Sequence, residues 1–125
     1  MDEIEAIEAF SALAQPTRLG VFRQLAAAYP DDLPAGDIAR RCDVPHNTMS
    51  SHLAILTRAG LTKAHRQGRE IRYRANFDRL RELVAFLARD CCDRRPELCM
   101  PLAADLSDAL EKPRKEEESH GGATV

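Results

Sequence analysis

Residues 44–61, VPHNTMSSHLAILTRAGL, and the basic stretch KAHRQGREIRYR that starts two residues later constrain the fold more than any other part of the chain. Met49, Leu53 and Leu56 recur at i, i+4 and i+7, so a helix over this segment turns that stripe inward. The same helix turns His46, Asn47, Ser50 and Ser51 outward, with Thr48 and His52 beside them. Pro45 suits a first helical turn, where a missing N–H costs nothing. Upstream, residues 35–42 form a shorter helical run with Ile38 and Ala39 inward, and Asp43-Val44 is a tight connection. Helix, short turn and longer helix make a helix-turn-helix.

Beyond Gly60, a natural helix stop, residues 62–66 and 70–75 read as two short strands joined across Gln67-Gly68-Arg69. Alternation sets Ile71 and Tyr73 on one face of this wing and Arg72 and Arg74 on the other, while Arg66 and Arg69 flank the tip. The outward residues of the longer helix are short, uncharged hydrogen-bonding groups that can approach base edges in a major groove. The wing arginines suit phosphates or a minor groove, although a charged hairpin edge also serves simply to stay solvated.

Charge favours the first use. Residues 35–81 hold ten Lys/Arg against four acids, a net +6, and the whole-chain charge of −2 therefore leaves −8 elsewhere. A basic centre between acidic ends, joined to the order helix-turn-helix then wing, points to duplex DNA as the partner.

At 125 residues with 44% hydrophobic content the chain supports one domain, read here as residues 1–111, with a modest core. With 5% aromatic residues and no Trp, that core must be Leu, Ala, Ile and Val. No apolar run approaches membrane-spanning length and the opening MDEIEAIEAF is acidic, which together predict a cytoplasmic protein. Ile4, Ile7, Phe10 and Leu13 mark an amphipathic first helix, and Pro16-Thr17-Arg18 opens a second carrying Leu19, Phe22 and Leu25. Leu80, Leu83, Val84 and Leu87 mark a long helix from Phe77 to about Cys91 or Cys92. A small winged domain cannot cover both terminal stripes alone, so a homodimer packed through its N- and C-terminal helices is expected. Leu102, Leu106 and Leu110 fit a short closing helix, and residues 112–125 read as a disordered tail. The fold class is mainly α, an α+β winged helix-turn-helix with a two-stranded wing.

In LAQPTRLGVFRQL, DIARRCDVPHNTMSSHLAILTRAGL and HRQGREIRYR, in this order and spacing, the chain resembles the ArsR family of small, dimeric winged-helix repressors. The likeness runs from about Ile7 to Leu87. It implies that His46, Asn47, Ser50, Ser51 and His52 sit on or beside a recognition helix. It also implies dimerisation through the helices before Ala14 and after Phe77, and repression of an operon until a ligand weakens the hold on the operator. The chain departs from the family's Cys-Val-Cys arsenic, cadmium and lead sensors, because residues 33–38 read LPAGDI without a thiol. It departs from the zinc and nickel or cobalt sensors too, because residues 77–90 contain no histidine.

The remaining thiols cluster in RDCCDRRPELCMP. Cys91, Cys92 and Cys99 offer a soft three-coordinate pocket. Trivalent arsenic favours three sulfurs in a pyramid, with antimony(III) close behind, whereas structural zinc wants four ligands. Neighbouring side chains on a helix point about 100° apart, so sharing one atom requires the helix to fray at Cys91-Cys92, and Pro96 favours such a break. Arg89, Arg94 and Arg95 are expected to lower the thiol pKa values. Certain sensors of the family are similar here, with a Cys-Cys pair and a nearby third Cys at the end of the last long helix.

The chain is thus expected to be a DNA-binding repressor, not an enzyme. Its expected inducer is As(III), with Sb(III) or methylarsenite as further candidates, and it needs no organic cofactor. Two alternatives stand beside this reading. The thiols would serve a redox or other soft-metal regulator of the same fold, in which Cys99 pairs with one of the adjacent cysteines. A thiol-dependent arsenate reductase fits less well, because there is no Cys-x-x-Cys and no Gly-rich phosphate loop. Cys42 reads as a small buried hydrophobe.

Overall fold

The computed structural model describes residues 1–111, and of Cys91 only the backbone. The predicted tail, 112–125, lies outside the described residues. The elements run α1 (Glu3–Leu13), α2 (Pro16–Ala28), β1 (Leu33–Pro34), α3 (Ala35–Cys42), α4 (His46–Arg58), β2 (Thr62–Gln67), β3 (Glu70–Ala75), α5 (Phe77–Phe86), a π-helical turn (Leu87–Cys91) and α6 (Pro96–Glu111). Two compact units result, residues 1–86 and the segment from Leu87 onward.

The first unit is the expected winged helix-turn-helix. Val21, Leu25, Ile38, Met49, Leu53, Leu56 and Leu61 are fully buried and form its centre. They come from α2, α3, α4 and the segment after α4, so the longer helix of the motif is held by tertiary packing. Asp43 adopts a left-handed conformation at φ 55° and makes the tight turn between α3 and α4. Pro45 falls at the N-cap of α4, one position before the helical turn expected for it. Phe77 stacks edge-on against Phe22 and Tyr29, fixing the start of α5 on α2.

The wing is a hairpin with Gln67 paired to Glu70 across Gly68-Arg69, so β2 is one residue longer than expected. Gly68 takes φ +65°, a conformation that a two-residue hairpin turn requires and glycine adopts without strain. A third strand, β1, pairs with β3 through Leu33–Tyr73 and Pro34–Arg72 and gives the antiparallel order β1-β3-β2. The two-stranded wing of the sequence reading is therefore the free end of a three-stranded sheet. Two residues are too few to show a strand's alternation.

The single chain leaves much of the apolar stripes of its outer helices uncovered. α1 begins with a complete capping box: Asp2 accepts from the Glu5 N–H at 2.8 Å, and Glu5 accepts from the Asp2 N–H at 3.0 Å. It buries Ala6, Ala9 and Ala12 against α2, α4 and α5 and leaves Ile4, Ile7 and Phe10 in solvent. Alanines let the helix axes approach closely, and the bulky stripe is displaced outward. Likewise Leu19 of α2 and Val84 of α5 are exposed while Leu83 is buried.

The second unit opens with the π-helical turn Leu87–Cys91. Asp93 and Arg94, both at φ 55°, lie in the turn before α6. α6 starts at Pro96 rather than beyond Pro101, and none of its residues is buried within the described chain. Among the described residues no helix is long and apolar enough to cross a membrane.

Candidate nucleic-acid interface and thiol pair

Burial of Met49, Leu53 and Leu56 fixes the rotation of α4 about its own axis, and that rotation exposes His46, Asn47, Thr48, Ser50 and Ser51. Their polar contacts are local. Ser50 Oγ donates to the His46 carbonyl at 3.1 Å, and Asn47 Oδ1 accepts from the Thr48 N–H at 2.9 Å. Both side chains keep capacity for an outside partner.

His52 differs. It is half-buried, and its Nδ1 lies 3.4 Å from a guanidinium nitrogen of Arg18. Arg18 can only donate, so Nδ1 acts as acceptor. The same guanidinium donates to the Ala12 carbonyl at 2.7 Å and the Ser11 carbonyl at 3.4 Å, closing the C-terminal end of α1. His52 thus joins α4 to α1, and only its other ring nitrogen is left for a further partner.

The wing arginines separate in the same way. Arg66, Arg69 and Arg74 are exposed. Arg72 is held in an ion-pair cluster: Nε donates to Asp32 at 2.6 Å, one terminal nitrogen to Glu70 at 2.9 Å and the other to the Asp32 carbonyl at 3.4 Å. His65 Nε2 lies 3.3 Å from the second Asp32 carboxylate oxygen. The Arg72 hydrogen bond holds the Asp32 carboxyl below the usual carboxylate range; partial burial opposes this, and the charges of Arg72, His65 and Arg74 add to it. Arg72 therefore braces the base of the wing.

Strand pairing sets Lys63 opposite Arg74 and His65 opposite Arg72 on one face, with Arg66 opposite Ile71 on the other. Lys63 and Arg74 directly opposed are unfavourable in the free hairpin, and an anionic partner relieves that repulsion. Sequence reasoning omitted Lys63, whose signal was the alternation Lys63-x-His65 along β2. It also omitted Asp32 and Arg18, whose partners lie 40 and 34 residues away.

In the second unit the geometry brings Cys92 and Cys99 together. Both are half-buried, and Cys99 Sγ donates to the Ala88 carbonyl at 3.0 Å. The Cys99 thiol is pushed up from its ordinary pKa by its hydrogen bond with Cys92, then by desolvation and by the charges of Cys92 and Glu97. This reverses the lowering expected from neighbouring arginines for this thiol. Arg95 is instead paired with Glu97 at 2.8 Å. Cys91 ends the π-helical turn, and its side chain is outside the described atoms. Among the described residues no three His, Cys, Asp or Glu side chains are grouped as ligands for a metal ion. Cys42 is half-buried in α3 and its thiol is raised by desolvation, as suits a small apolar filler.

A helix-turn-helix domain family matches residues 13–63. The chain is 32% identical over 78 residues to the transcriptional repressor SdpR of Bacillus subtilis strain 168, an alignment covering 62% of this chain and 83% of that protein. Among solved structures, an ArsR-like transcriptional regulator from Rhodococcus sp. RHA1 superposes with a TM-score of 0.63 at 31% identity, covering 85% of this chain and 93% of its own. The homodimeric winged helix-turn-helix DNA-binding domain of Mb0332 from Mycobacterium bovis superposes with a TM-score of 0.56 at 28% identity, covering 73% of this chain and 84% of its own.

Proposed function

The chain belongs to the ArsR family of winged helix-turn-helix, DNA-binding transcriptional repressors, and we propose that it acts as a homodimer which releases its operator when trivalent arsenic binds Cys91, Cys92 and Cys99. The paired α4 helices enter successive major grooves, with His46, Asn47, Thr48, Ser50 and Ser51 toward the bases. Arg66, Arg69 and Arg74 meet the flanking backbone. Arg72 and His52 support this surface from behind through Asp32 and Arg18. The dimer reading draws on the exposed Ile4, Ile7, Phe10 and Val84 and on the homodimeric relative.

The observation that carries the inducer reading is three thiols within nine residues, Cys91, Cys92 and Cys99, of which Cys92 and Cys99 are half-buried and influence each other. Thiolates are soft donors and suit a thiophilic ion. Arsenous acid and three thiols condense to a trithiolate arsenic adduct and three waters. Methylarsenite needs two thiols, and antimony(III) follows arsenite. The thiol segment follows α5 in the chain, and closing the sulfurs is the step proposed to shift that helix. A coupling of about 1–3 kcal/mol lowers operator affinity roughly 5- to 150-fold.

Fluorescence anisotropy of the reduced protein on DNA from its own promoter tests this, with arsenite, methylarsenite and zinc titrated separately. Release by arsenicals and not by zinc supports the reading. Unchanged release by arsenite after Cys99→Ser overturns the three-thiol site. The same proximity of Cys92 and Cys99 also favours a second reading, in which peroxide takes two electrons and two protons from the pair to give a disulfide and two waters. Release by peroxide and not by arsenite selects it. Neither reading includes turnover, and reduction of arsenate by the protein with a thiol reductant would revive the enzyme.

A further inference from the structure

Three consecutive backbone carbonyls leave the end of α4, and each is taken by the beginning of α5. Arg79 Nε donates to the Ala59 carbonyl at 3.1 Å, the Asn76 side-chain amide to Gly60 at 2.8 Å and the Asn76 backbone N–H to Leu61 at 2.9 Å. The last carbonyls of a helix lack partners within it, and they carry the negative end of its dipole. A guanidinium is therefore a strong and well-placed cap for α4.

The rest of that guanidinium reaches one acid on its own helix and one on α1. One terminal nitrogen donates to Glu82 of α5 at 3.0 Å, and the other lies 3.9 Å from Glu5 of α1. The Arg79 side chain is only 19% exposed, so solvent screens these contacts weakly. Gly60 completes the arrangement. It sits at φ +84°, and a Cβ there would lie 2.7 Å from Arg79 Nε, so the arginine occupies space that only glycine leaves open.

We propose that Arg79 is a positioning residue for operator binding: it ties the end of the recognition helix to α5 and α1, and a displacement of α5 reaches α4 through it. This rests on the DNA-binding reading and is independent of the identity of the inducer. Arg79 itself acts from behind the reading face. Its loss therefore changes how α4 is presented and leaves the number of phosphate contacts as it was.

The test uses the full chain, with operator affinity measured by anisotropy at several salt concentrations and thermal unfolding followed in parallel. Arg79→Gln is expected to weaken operator binding at least about 5-fold, the lower end of ordinary allosteric couplings, while the slope of log affinity against log salt stays at the wild-type value. Arg81→Gln, which removes the same charge from an exposed site on the same helix, is expected within twofold of wild type. Gly60→Ala drives a methyl into the guanidinium and is expected to weaken binding too, and Gly60→Ala/Arg79→Gln is expected to be no worse than the weaker single variant.

Affinity of Arg79→Gln within twofold of wild type overturns the proposal. So does a salt slope reduced by about one, which marks a lost phosphate contact, and so do single-variant losses that simply multiply. If Arg79→Gln does not fold, Glu5→Gln/Glu82→Gln frees the guanidinium from its anchors and is read by the same criteria. Wild-type protein with no salt-dependent affinity for the DNA overturns the regulator reading itself. A wild-type protein that binds the operator but ignores arsenite leaves this test intact.

Discussion

Replacing Ile7 by Ser separates the two faces of α1. Ile7 is 57% exposed in the single chain, and its neighbours Ile4 and Phe10 are 72% and 37% exposed. Fully burying an isoleucine is worth about 1.5–3 kcal/mol, so covering the exposed part of Ile7 contributes about 1–2 kcal/mol per protomer. A two-fold interface presents the residue twice, which makes the loss about 2–4 kcal/mol per dimer, or roughly 30- to 700-fold in the dimer dissociation constant. Serine and isoleucine have similar helix propensities, so the fold of one protomer is expected to keep its stability. Ala9→Leu is the converse: Ala9 is fully buried, and overpacking it is expected to lower protomer stability by about 1–3 kcal/mol. Sedimentation equilibrium gives the dimer constant, and denaturant unfolding below that constant gives protomer stability. An Ile7→Ser protein that associates like wild type, or whose protomer loses as much stability as the dimer, refutes the assignment of this stripe to a partner copy.

Three further outcomes follow from the side chains described. The depressed Asp32 carboxyl contributes stability that is present above the ordinary carboxylate range, about pH 3.9, and is lost as pH falls through its lowered folded value; Asp32→Asn should flatten the acid limb of the denaturation-midpoint profile, and parallel limbs would show that the carboxyl has no such role. Because the thiolate is the nucleophile and Cys92 raises the Cys99 thiol, Cys92→Ser should move the pH–rate profile for alkylation of Cys99 to lower pH, as read by peptide mass mapping, and an unmoved profile would break the pairing. Replacing both Arg66 and Arg69 by Ala should reduce the salt slope of operator binding by about two, at roughly 0.9 per phosphate contact, and an unaltered slope would take both residues off the DNA.

The helix-turn-helix was legible because its signal is redundant. In α4 the periodic stripe, the proline before it and the glycine after it agree, and the structure buries Met49, Leu53 and Leu56 as the period requires. α1 carries two stripes at helical spacing, Ile4-Ile7-Phe10, which the sequence reading left for a second copy, and Ala6-Ala9-Ala12, which it did not single out and the fold buries. Which stripe goes inward depends on how closely α2, α4 and α5 approach, a distance that sequence periodicity does not encode. The split among the basic residues was hidden for a similar reason. Arg72 and Arg74 alternate on the same strand face, and Asp32, brought up from 40 residues away, joins Glu70 in holding Arg72 while Arg74 stays exposed. In the thiol segment the pKa direction of Cys99 departs from expectation, because Cys92 and partial burial raise the thiol while Arg95 is engaged with Glu97.

The division of labour within α4 bears on how such a protein changes its target over evolutionary time. Its stability comes from three buried residues, and its outward residues bond only to their own helix. Exchanges at surface positions without tertiary contacts usually stay within about 0.5 kcal/mol, so His46, Asn47, Ser50 and Ser51 can diversify with little risk to folding. His52 and Gly60 lack that freedom, since each is fitted to an arginine from another helix. Gene duplicates of this chain can therefore drift to new DNA sequences one outward side chain at a time, and a library confined to those four positions should yield altered specificity from an almost uniformly folded population.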